Sequence, residues 1–577
     1  MKKFINRPEQ AVEEMLQGLT ILSPGSDRLP GHRVLVRADA ERIRDKQVAI
    51  VSGGGSGHEP AHAGYVGAGM LTAAVAGEIF TSPDADSIFE TIKAIAGKPG
   101  VLLIVKNYTG DRLNFGLAAE MARSEGIPVE TIIVDDDVAL NGIDSATGAR
   151  GLAGTVLIHK LVGAAASEGK TLTQLAALGR SMVRSVGTMG VSFSAGISPA
   201  VGKRSFELAE DEMELGLGIH GEPGVIRTKL QPADKLTETL LTHILKSRNF
   251  GTEVVVLINN LGATTEMELA IVARHAADFL RMSGFTIERL YAGTYLSSLD
   301  MAGISISVMG VDEERLRWLD APTDAPAWPN LPRERPRSLI AGMLPPKKTK
   351  ASPHQQDHET PLAKTVKKAI EAACDSLIQA ETKLTELDRI AGDGDLGASM
   401  KRASIAVLKA LPSYTLNDLP MTLKELSQTL RHELGGSSGP LYGVLFLRVG
   451  DVLGHSGAIG TSQWAIALGE GIRAISELGG AKSGDRTMLD ALYPFLKVLE
   501  QVGIGSDHEV LLEATQAAQS GAESTAQMRP RLGRSSYLGD RVVGYPDPGA
   551  IAVAIWLRAV MGNVIGGSKQ ANDLPIK

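Results

Sequence analysis

The 577-residue chain has a single cysteine, Cys374, and only 4% of its residues are aromatic. One cysteine excludes a disulfide framework and a cysteine-ligated metal cluster, and it indicates a reducing compartment such as the cytoplasm. Few aromatic side chains and a net charge of −7 argue against a nucleic-acid partner, which needs stacking surfaces and positive charge.

Long hydrophobic runs are also missing from the sequence. No uncharged apolar stretch reaches the roughly 18 residues of a membrane-spanning helix, and the first residues lack the apolar run of a signal peptide. We therefore expect no membrane partner. Glycine, in contrast, is abundant at 64 residues, and the length predicts several domains.

Strand and helix patterns alternate over roughly the first 180 residues, which is typical of a mostly parallel α/β sheet. The predicted strands there are Val48–Val51, Val101–Val105 and Thr131–Val134. A second α/β stretch continues to about residue 320, with strands at Val254–Ile258 and Ile304–Val308. The sequence therefore predicts an α/β domain over residues 1–330, with subdomains of about 1–182 and 183–330.

Composition changes over Ala321–Pro361, which is rich in proline and contains the basic run Lys347–Lys350. This pattern predicts an exposed linker, which we place at residues 331–361. Amphipathic helical patterns then follow one another to the end of the chain. Residues 362–577 are therefore predicted to form an all-α domain.

Three carboxylates lie close together in this helical half: Asp388, Asp393 and Asp395. Glycines let the backbone turn so that neighbouring carboxylates converge, and converging carboxylates repel unless a hard cation lies between them. The segment indicates a metal–phosphate site, most simply for a Mg²⁺-nucleotide, with a solvated acidic turn as the alternative. An EF-hand is excluded because position 12 from Asp393 is Ser404 rather than glutamate.

A glycine-rich turn, Ser52–Pro60, follows the first predicted strand, and its backbone N–H groups are available to a ligand. His58 stands where a dinucleotide fingerprint has its third glycine. Two interpretations stay open: a weak dinucleotide site, or a small polar substrate held by backbone amides with His58 as acid or base.

Two further turns of the α/β half have polar side chains. Asp111, in Lys106–Asp111 after the second strand, is either a general base or hydroxyl anchor or the cap of the next helix. His220, in Ile219–Gly224, echoes the earlier His-Glu-Pro turn, although a lone histidine in a turn is more often structural.

The segment Gly163–Thr171 has the look of a Walker A loop, but it has five residues between its glycines and continues an apolar helical run. A P-loop needs four such residues and a preceding strand, so we expect the nucleotide to bind elsewhere. Glycine-rich turns at helix N-termini are anion sites, and Ser437 and Ser438 lie in one, where they are alternatively simple N-caps. Other such turns contain Gly484, Arg534 and Asp547.

Seven of these motifs, in this order, resemble the single-chain ATP-dependent form of the dihydroxyacetone kinase family. They are GGGSGHEP, KNYTGD, GIHGEPG, DGDxG, GGSSG, GDRTM and DPGA. The resemblance covers nearly the whole chain, and seven motifs in order are far more specific than one.

The resemblance implies a substrate domain followed by an eight-helix barrel that binds ATP and Mg²⁺. His220 would form a covalent hemiaminal with the carbonyl of a short sugar, and Asp388, Asp393 and Asp395 would hold Mg²⁺. The substrate would contact Gly55, Ser56, Gly57, His58, Lys106 and Asp111, with His58 and Asp111 acting in catalysis. The nucleotide would contact Asp395, Leu396, Gly397, Ala398, Ser437, Ser438, Gly484, Arg534, Asp547, Pro548 and Gly549. The family also implies a homodimer.

Two positions depart from the usual family pattern, Ala398 in place of a small hydroxyl residue and Pro440 in place of a small apolar one. These departures concern ATP contacts rather than the metal. Some relatives also cleave FAD to AMP and a cyclic flavin phosphate, which is an alternative activity of the helical domain. A non-catalytic ligand sensor is the third alternative, and the presence of His220, Asp111 and all three aspartates argues against it.

Overall fold

The structure is a computed structural model that describes residues 3–140, 149–199, 202–222, 224–330, 360–434, 437–456, 459–501, 507–532 and 534–565. The chain divides into two compact units, Met1–Ser338 and Leu339–Lys577. Each unit has its own hydrophobic core.

A six-stranded, mostly parallel sheet forms the first half of the N-terminal unit. Its strands are β1 (Ser26–Arg28), β2 (Val34–Arg37), β3 (Ala49–Ser56), β4 (Ala73–Ile79), β5 (Val101–Lys106) and β6 (Val129–Val134). Their order is β1-β2-β4-β3-β5-β6, and β4, β3, β5 and β6 are parallel, as the sequence predicts. The helices are α1 (Ala11–Leu22), α2 (Ala40–Ile43), α3 (Ala85–Ile95), α4 (Thr109–Ser124), α5 (Gly154–Ser167) and α6 (Leu172–Val183).

Strand β5 is buried on both faces of the sheet. All six of its residues are buried, and alternate side chains belong to different cores. Leu102 and Ile104 pack into one cluster, whereas Leu103 and Val105 pack into another on the opposite face. A strand covered on both faces needs a continuous apolar run rather than an alternating one.

A second six-stranded sheet completes the unit. Its strands are β7 (Val186–Ser194), β8 (Glu212–Leu215), β9 (Ile226–Lys229), β10 (Glu253–Asn260), β11 (Thr286–Gly293) and β12 (Ala302–Gly310). Their order is β11-β10-β12-β7-β8-β9, with β10 and β11 parallel and the other pairs antiparallel. The accompanying helices are α7 (Ala233–Ser247), α8 (Glu266–Met282) and α9 (Glu313–Asp320).

The proline-rich stretch 321–330, which precedes the linker predicted at residues 331–361, is partly buried and partly exposed. Ala325 and Trp328 are buried in the core of the N-terminal unit, where the Trp328 ring lies 5.1 Å from the ring of Tyr291. The proline-rich composition hid this packing, because one tryptophan is enough to anchor a segment that lacks regular structure. Residues 331–359 of the predicted linker, including Lys347–Lys350, lie outside the described residues.

The described part of the second unit is helical throughout. Its helices are α10 (Pro361–Gln379), α11 (Glu381–Ala391), α12 (Leu396–Ala410), α13 (Leu419–Glu433), α14 (Ser438–Gly454), α15 (Thr461–Gly479), α16 (Leu489–Leu499), α17 (Asp507–Ser524) and α18 (Pro548–Val564). The chain turns at Ala380, which separates α10 from α11.

Eight of these helices form a closed ring. Each of α12 to α17 packs against the next helix along the chain, and α10 closes the ring by contacting both α12 and α18. The eight helices enclose an apolar cavity of about 390 Å³, to which side chains such as Leu445, Phe495 and Trp556 contribute. The expected eight-helix barrel is therefore confirmed, and α11 is an additional helix that leads into the acidic turn.

The apparent Walker A segment has the helical context that the sequence predicts. Most of the apparent Walker A segment lies at the end of helix α5 and in the turn after it, so the strand that a P-loop requires is not there. No helix of the described ranges is long and apolar enough to cross a membrane.

Candidate active site

The glycine-rich end of β3 approaches the neighbouring strands so closely that side chains would not fit. A Cβ atom on Gly54, whose φ is +158°, would lie 2.7 Å from Lys106 Nζ and 3.5 Å from Asp111 Oδ2. A Cβ on Gly55 would lie 2.6 Å from the backbone nitrogen of Thr81. Glycine here allows β3 to bring its backbone against two charged side chains. Ser56 is different, since its hydroxyl donates to the Gly77 carbonyl at 2.7 Å and its own carbonyl accepts from the Phe80 N–H at 2.9 Å.

His58 is fully buried and has one free ring nitrogen. Its Nδ1 donates to the Ser297 carbonyl at 2.9 Å, and its Nε2 has no hydrogen-bond partner among the described residues. Burial lowers the pKa of His58 well below its usual value, and the positive charge of Lys106 lowers it further. The ring is therefore a neutral imidazole whose Nε2 lone pair is available as a proton acceptor.

His220 faces His58 across the same pocket, with their ring centroids 4.8 Å apart in an edge-on arrangement. Its Nδ1 lies 3.7 Å from Glu222 Oε1, and its backbone N–H donates to Glu222 Oε2 at 2.8 Å. Burial raises the pKa of Glu222, but its contacts with His220 outweigh burial and hold that pKa at about 2. A carboxylate near Nδ1 favours a hydrogen on that nitrogen and leaves the lone pair of the neutral ring on Nε2. Pro223 of this turn lies outside the described residues.

One segment of the second sheet positions both histidines. Besides accepting from His58, Ser297 donates its backbone N–H to the His58 carbonyl at 3.1 Å. The next residue, Ser298, donates its hydroxyl to the Ile219 carbonyl at 2.6 Å, immediately before His220. The β11–β12 connection therefore fixes two turns that lie far apart in the sequence. Sequence reasoning missed this segment because it has no distinctive local pattern.

Two aromatic rings complete the walls around His220. The ring of Tyr108 lies 4.4 Å from the His220 ring, and the ring of Phe80 lies 5.6 Å from it. Phe80 also stacks on His58 at 5.2 Å. Sequence analysis singled out neither aromatic for a role, although Tyr108 lies within a quoted motif. These rings cover His58 and part of His220, whose side chain stays 20% exposed, and they lower the local polarity of the pocket.

Lys106 and Asp111 place opposite charges behind the glycine strand. Lys106 ends β5 and is fully buried, and burial lowers the pKa of its ammonium although the negative charge of Asp111 opposes that effect. Asp111 is buried in the first turn of α4, where the helix N-terminus favours an anion. The N-cap position belongs to Tyr108, so Asp111 is not the cap that sequence reasoning left as its alternative role.

The three acidic residues of the helical unit converge as the sequence indicated. One carboxylate oxygen from each of Asp388, Asp393 and Asp395 lies within 4.8 Å of the others. Asp388 is buried at the end of α11, and its Oδ2 accepts from the backbone N–H groups of Asp395 and Leu396 at 2.9 and 3.0 Å. These bonds fold the turn back on itself and leave two exposed carboxylates beside one anchored carboxylate, a set of oxygen donors that fits a hard divalent ion.

Several residues that the sequence predicts to contact the nucleotide lie at helix N-termini. Leu396, Gly397 and Ala398 open α12, and Asp547 caps α18 by accepting from the Ala550 N–H at 2.8 Å, with Pro548 and Gly549 in its first turn. Ser437 and Ser438 begin α14, and Ser437 makes no side-chain cap hydrogen bond, so its hydroxyl is not used as an N-cap. Gly435, Gly436 and the side chain of Arg534 lie outside the described part of the chain.

A buried arginine ties two of these turns together. Arg486 follows Gly484 in a left-handed backbone conformation, with φ at 63°, which is uncommon for a residue other than glycine. Its guanidinium donates to the Tyr545 carbonyl at 2.9 Å and lies 4.0 Å from the Asp547 carboxylate. The turn containing Gly484 is therefore fixed against the start of α18. Sequence analysis quoted this arginine in a motif but gave it no role.

Comparison with known proteins matches two family models to this architecture. The Dak1 domain model matches residues 17–327, and the DAK2 domain model matches residues 390–562. The first match alone spans more than half of the chain. The chain belongs to the dihydroxyacetone kinase family.

Several relatives share the full two-part organisation. A Solanum lycopersicum protein named "Putative 3,4-dihydroxy-2-butanone kinase" is 45% identical over 578 residues, covering 97% of each chain. The human triokinase/FMN cyclase is 41% identical over 576 residues, covering 97% of this chain and 99% of the human protein. The crystal structure of the C. freundii dihydroxyacetone kinase with AMP-PNP and Mg²⁺ is 33% identical, covers 97% of this chain and 99% of its own, and has a TM-score of 0.62.

Proposed function

We propose that this chain is an ATP-dependent kinase that phosphorylates dihydroxyacetone or a related short keto or aldo sugar of three or four carbons. The observation that supports this most is the facing pair of imidazoles, in which His220 has a carboxylate at Nδ1 and His58 has a free, neutral Nε2. One nitrogen suits attack on a carbonyl and the other suits removal of a proton from a hydroxyl. The kinase names of its relatives agree with this chemistry.

His220 acts first by forming a hemiaminal with the substrate. Its Nε2 forms a bond to the carbonyl carbon as the C=O π bond breaks, the carbonyl oxygen takes up a proton from water, and the Glu222 carboxylate stabilises the positive charge that the ring gains. An imidazole adds to a carbonyl but not to an alcohol. The tether therefore selects ketoses and aldoses over polyols such as glycerol, and it fixes the terminal hydroxyl for transfer.

A buried acceptor then takes the hydroxyl proton. The candidates are Nε2 of His58 and the carboxylate of Asp111, both placed around the pocket at the end of β3. The sugar is assigned to Gly55, Ser56 and Gly57, where the glycines let the backbone pass close to Thr81 and Phe80 and the Ser56 hydroxyl donates to the Gly77 carbonyl. The Lys106 ammonium stabilises negative charge that develops on the substrate oxygens.

Asp388, Asp393 and Asp395 hold Mg²⁺ in this proposal, because their converging oxygens make the hard, acidic donor set that this ion prefers. Bound there, Mg²⁺ supplies charge neutralisation on the ATP phosphates. The amides at the starts of α12, α14 and α18 hold the phosphates and the rest of the nucleotide. The residues assigned to this contact are Asp395, Leu396, Gly397, Ala398, Ser437, Ser438, Gly484, Arg534, Asp547, Pro548 and Gly549.

The finer organisation belongs to the same proposal. We place the substrate domain at residues 1–330, with subdomains of about 1–182 and 183–330, the linker at 331–361 and the nucleotide domain at 362–577. We further propose a cytoplasmic homodimer.

Formation of ADP tests the proposal directly. Purified protein with ATP and Mg²⁺ should release ADP when dihydroxyacetone is added and should release little with glycerol, which has no carbonyl group. A panel of trioses and tetroses ranked by kcat/KM then identifies the preferred sugar, because one extra carbon changes discrimination by only about 1–3 kcal/mol. Equal turnover of glycerol and dihydroxyacetone would contradict the hemiaminal mechanism.

A second activity is proposed for the helical domain, because the human relative is named a triokinase/FMN cyclase and matches this chain over 97% of its length. In this reaction, FAD is cleaved to AMP and cyclic FMN with the help of a divalent ion. Incubation with FAD and Mn²⁺, followed by chromatography of the flavin products, tests it. Cyclic FMN without any ADP from dihydroxyacetone would make the lyase the main activity.

A further inference from the structure

A buried row of hydrogen-bonding side chains lies behind Lys106, and the proposed mechanism gives it no role. Lys106 Nζ lies 3.1 Å from Nε2 of His62, and Nδ1 of His62 lies 2.9 Å from Nε2 of His159. His62 follows the glycine-rich turn, and His159 lies in the middle of α5. His62 is 6% exposed and His159 is 0% exposed, so bulk water does not complete their hydrogen bonds.

A neighbouring serine determines which nitrogen of His62 holds the proton. The Ser52 hydroxyl donates its single hydrogen to the Ile104 carbonyl at 2.6 Å and lies 3.4 Å from His62 Nδ1. Having used its hydrogen, Ser52 acts only as an acceptor toward that nitrogen. This arrangement favours a hydrogen on Nδ1 of His62, which points between the Ser52 oxygen and Nε2 of His159.

The donors and acceptors of the other hydrogen bonds in the row follow from this assignment. A neutral His62 with hydrogen on Nδ1 has a lone pair on Nε2, so the Lys106 ammonium is the donor in the contact between them. His159 accepts at Nε2 and has its own hydrogen on Nδ1, which is buried without a partner in the described chain. The row thus runs in one direction, from the lysine toward α5.

Burial and charge keep both histidines neutral. Burial lowers the pKa of His62 well below its usual value and lowers that of His159 to about 3, and the positive charge of Lys106 adds to both shifts. A neutral imidazole accepts a hydrogen bond from the ammonium without cancelling its charge, whereas a carboxylate in the same place would neutralise it. Lys106 has no other hydrogen-bond partner for its ammonium among the described residues.

We propose that His62, oriented by Ser52 and His159, is a positioning residue that holds the Lys106 side chain as a charged ammonium against the glycine-rich end of β3. Through this contact His62 sets the direction and the protonation state of the lysine that faces the substrate. This role rests on the proposed kinase function, in which Lys106 stabilises charge on the substrate oxygens.

The proposal predicts a specific pH dependence. The ionisable groups around Lys106 are Asp111 from α4, His58 and His62 from the turn after β3, and His159 from α5. Asp111 favours the ammonium, and the neutral histidines add no positive charge. Because only the ammonium form is active, kcat/KM falls as pH rises through the pKa of Lys106. Removing the His62 acceptor lowers that pKa and moves the alkaline limb to lower pH.

A matched pair of variants of the full chain tests the hydrogen bond. His62→Leu removes the acceptor at nearly constant bulk, whereas His62→Gln retains an oxygen acceptor near the position of Nε2. At pH 8 we expect His62→Leu to lose about 10- to 100-fold in kcat/KM for dihydroxyacetone, with its alkaline limb at lower pH. His62→Gln should recover most of the activity and the original limb. An unchanged alkaline limb in His62→Leu, or equal losses in both variants, would overturn the proposal.

A second measurement does not depend on catalysis or on the stability of the variants. In wild-type protein labelled with ¹⁵N-histidine, the His62 signal, assigned with His62→Gln, should show a hydrogen on Nδ1 and a lone pair on Nε2. A hydrogen on Nε2 would overturn the assigned direction. If wild-type protein makes no ADP while His62 shows the expected tautomer, the kinase proposal fails and the arrangement around Lys106 stands.

Discussion

The two sites of this chain treat their ionisable groups in opposite ways. In the α/β unit, His58, Lys106 and Asp111 are buried, and burial lowers the pKa of both the histidine and the lysine. In the helical unit, Asp393 and Asp395 are exposed beside the anchored Asp388. In the first site, burial controls the protonation states of the side chains. In the second site, the exposed carboxylates present negative charge that a bound cation would balance.

This difference suits the roles that we propose for the two sites. A nucleophile and a base need defined protonation states near neutral pH, and a dry pocket with fixed hydrogen bonds provides them. A metal–phosphate site needs negative charge that solvent keeps ionised until the ion binds, and open carboxylates at helix ends provide it. Variants in one unit should therefore remove one function and leave the other measurable.

The largest expected effect is on the covalent substrate complex. His220→Ala should abolish the mass increase that intact-protein mass spectrometry detects after dihydroxyacetone is added, because the proposed nucleophile is gone. His243→Ala, an exposed histidine on α7, is the control and should keep the adduct. An adduct that survives in His220→Ala would point to a different nucleophile.

Asp393→Asn should come next, with a loss of metal-dependent ATP turnover of about 100-fold or more, since one ligand charge on Mg²⁺ is removed. Binding of Mn²⁺, followed by electron paramagnetic resonance, should weaken in parallel, and the sugar adduct should form normally. Asp451→Asn, an exposed aspartate paired with Lys424 in the same unit, is the control. Unchanged Mn²⁺ affinity in Asp393→Asn would remove this residue from the metal site.

Asp111→Asn should slow transfer while both substrates still bind, by roughly 10²- to 10⁴-fold if this carboxylate is the general base. The adduct and nucleotide binding should persist, so the loss should appear in kcat. Asp84→Asn, a capping aspartate at the start of α3, should have near-normal kinetics because asparagine caps equally well. Near-normal turnover by Asp111→Asn would leave His58 as the base.

The smallest effect concerns stability of the helical unit. Burial raises the pKa of Asp547 to about 6, compared with 3.8 when it is unperturbed, although its hydrogen bond to Ala550 and the charge of Arg486 oppose the shift. The folded chain therefore holds this proton more tightly, so folding stability from this group falls as pH rises from about 4 to 6 and stays lower above that range.

Asp547→Asn removes this pH dependence while keeping an N-cap. The free energy of unfolding of the helical unit is measured in urea for the variant and for wild type at pH 4 and at pH 8. The difference, variant minus wild type, should be more positive at pH 8 than at pH 4 by about 1–3 kcal/mol. Asp540→Asn, on an exposed aspartate that pairs with Arg529, serves as the control. A difference between Asp547→Asn and wild type that is the same at both pH values would show that ionisation of Asp547 does not penalise folding.

Local pattern was enough to predict most of the elements. The continuous apolar run of β5, the amphipathic helices and the convergence of Asp388, Asp393 and Asp395 all depend on residues close in sequence. For the same reason the false Walker A segment was recognised from its helical context. Secondary-structure propensity and hydrophobic periodicity act over a few residues, so features of that length can be predicted from the sequence.

Long-range packing could not be predicted from the sequence. The antiparallel pairing of most of the second sheet, the burial of Trp328 and the Ser297 contact to His58 join segments with no shared local signal. The rings of Phe80 and Tyr108 reach His220 only through the fold. Tertiary contacts of this kind depend on which surfaces pack together, and a single sequence has no local signal that predicts this packing.

The most direct test of two separable sites measures both binding events on both variants. His220→Ala and Asp393→Asn are each assayed for the dihydroxyacetone adduct by intact mass and for Mn²⁺-nucleotide binding by paramagnetic resonance. We predict that His220→Ala loses the adduct and binds Mn²⁺-nucleotide, and that Asp393→Asn forms the adduct and loses Mn²⁺-nucleotide. A properly folded variant that loses both, or an Asp393→Asn protein that binds Mn²⁺-nucleotide as wild type does, would contradict this account.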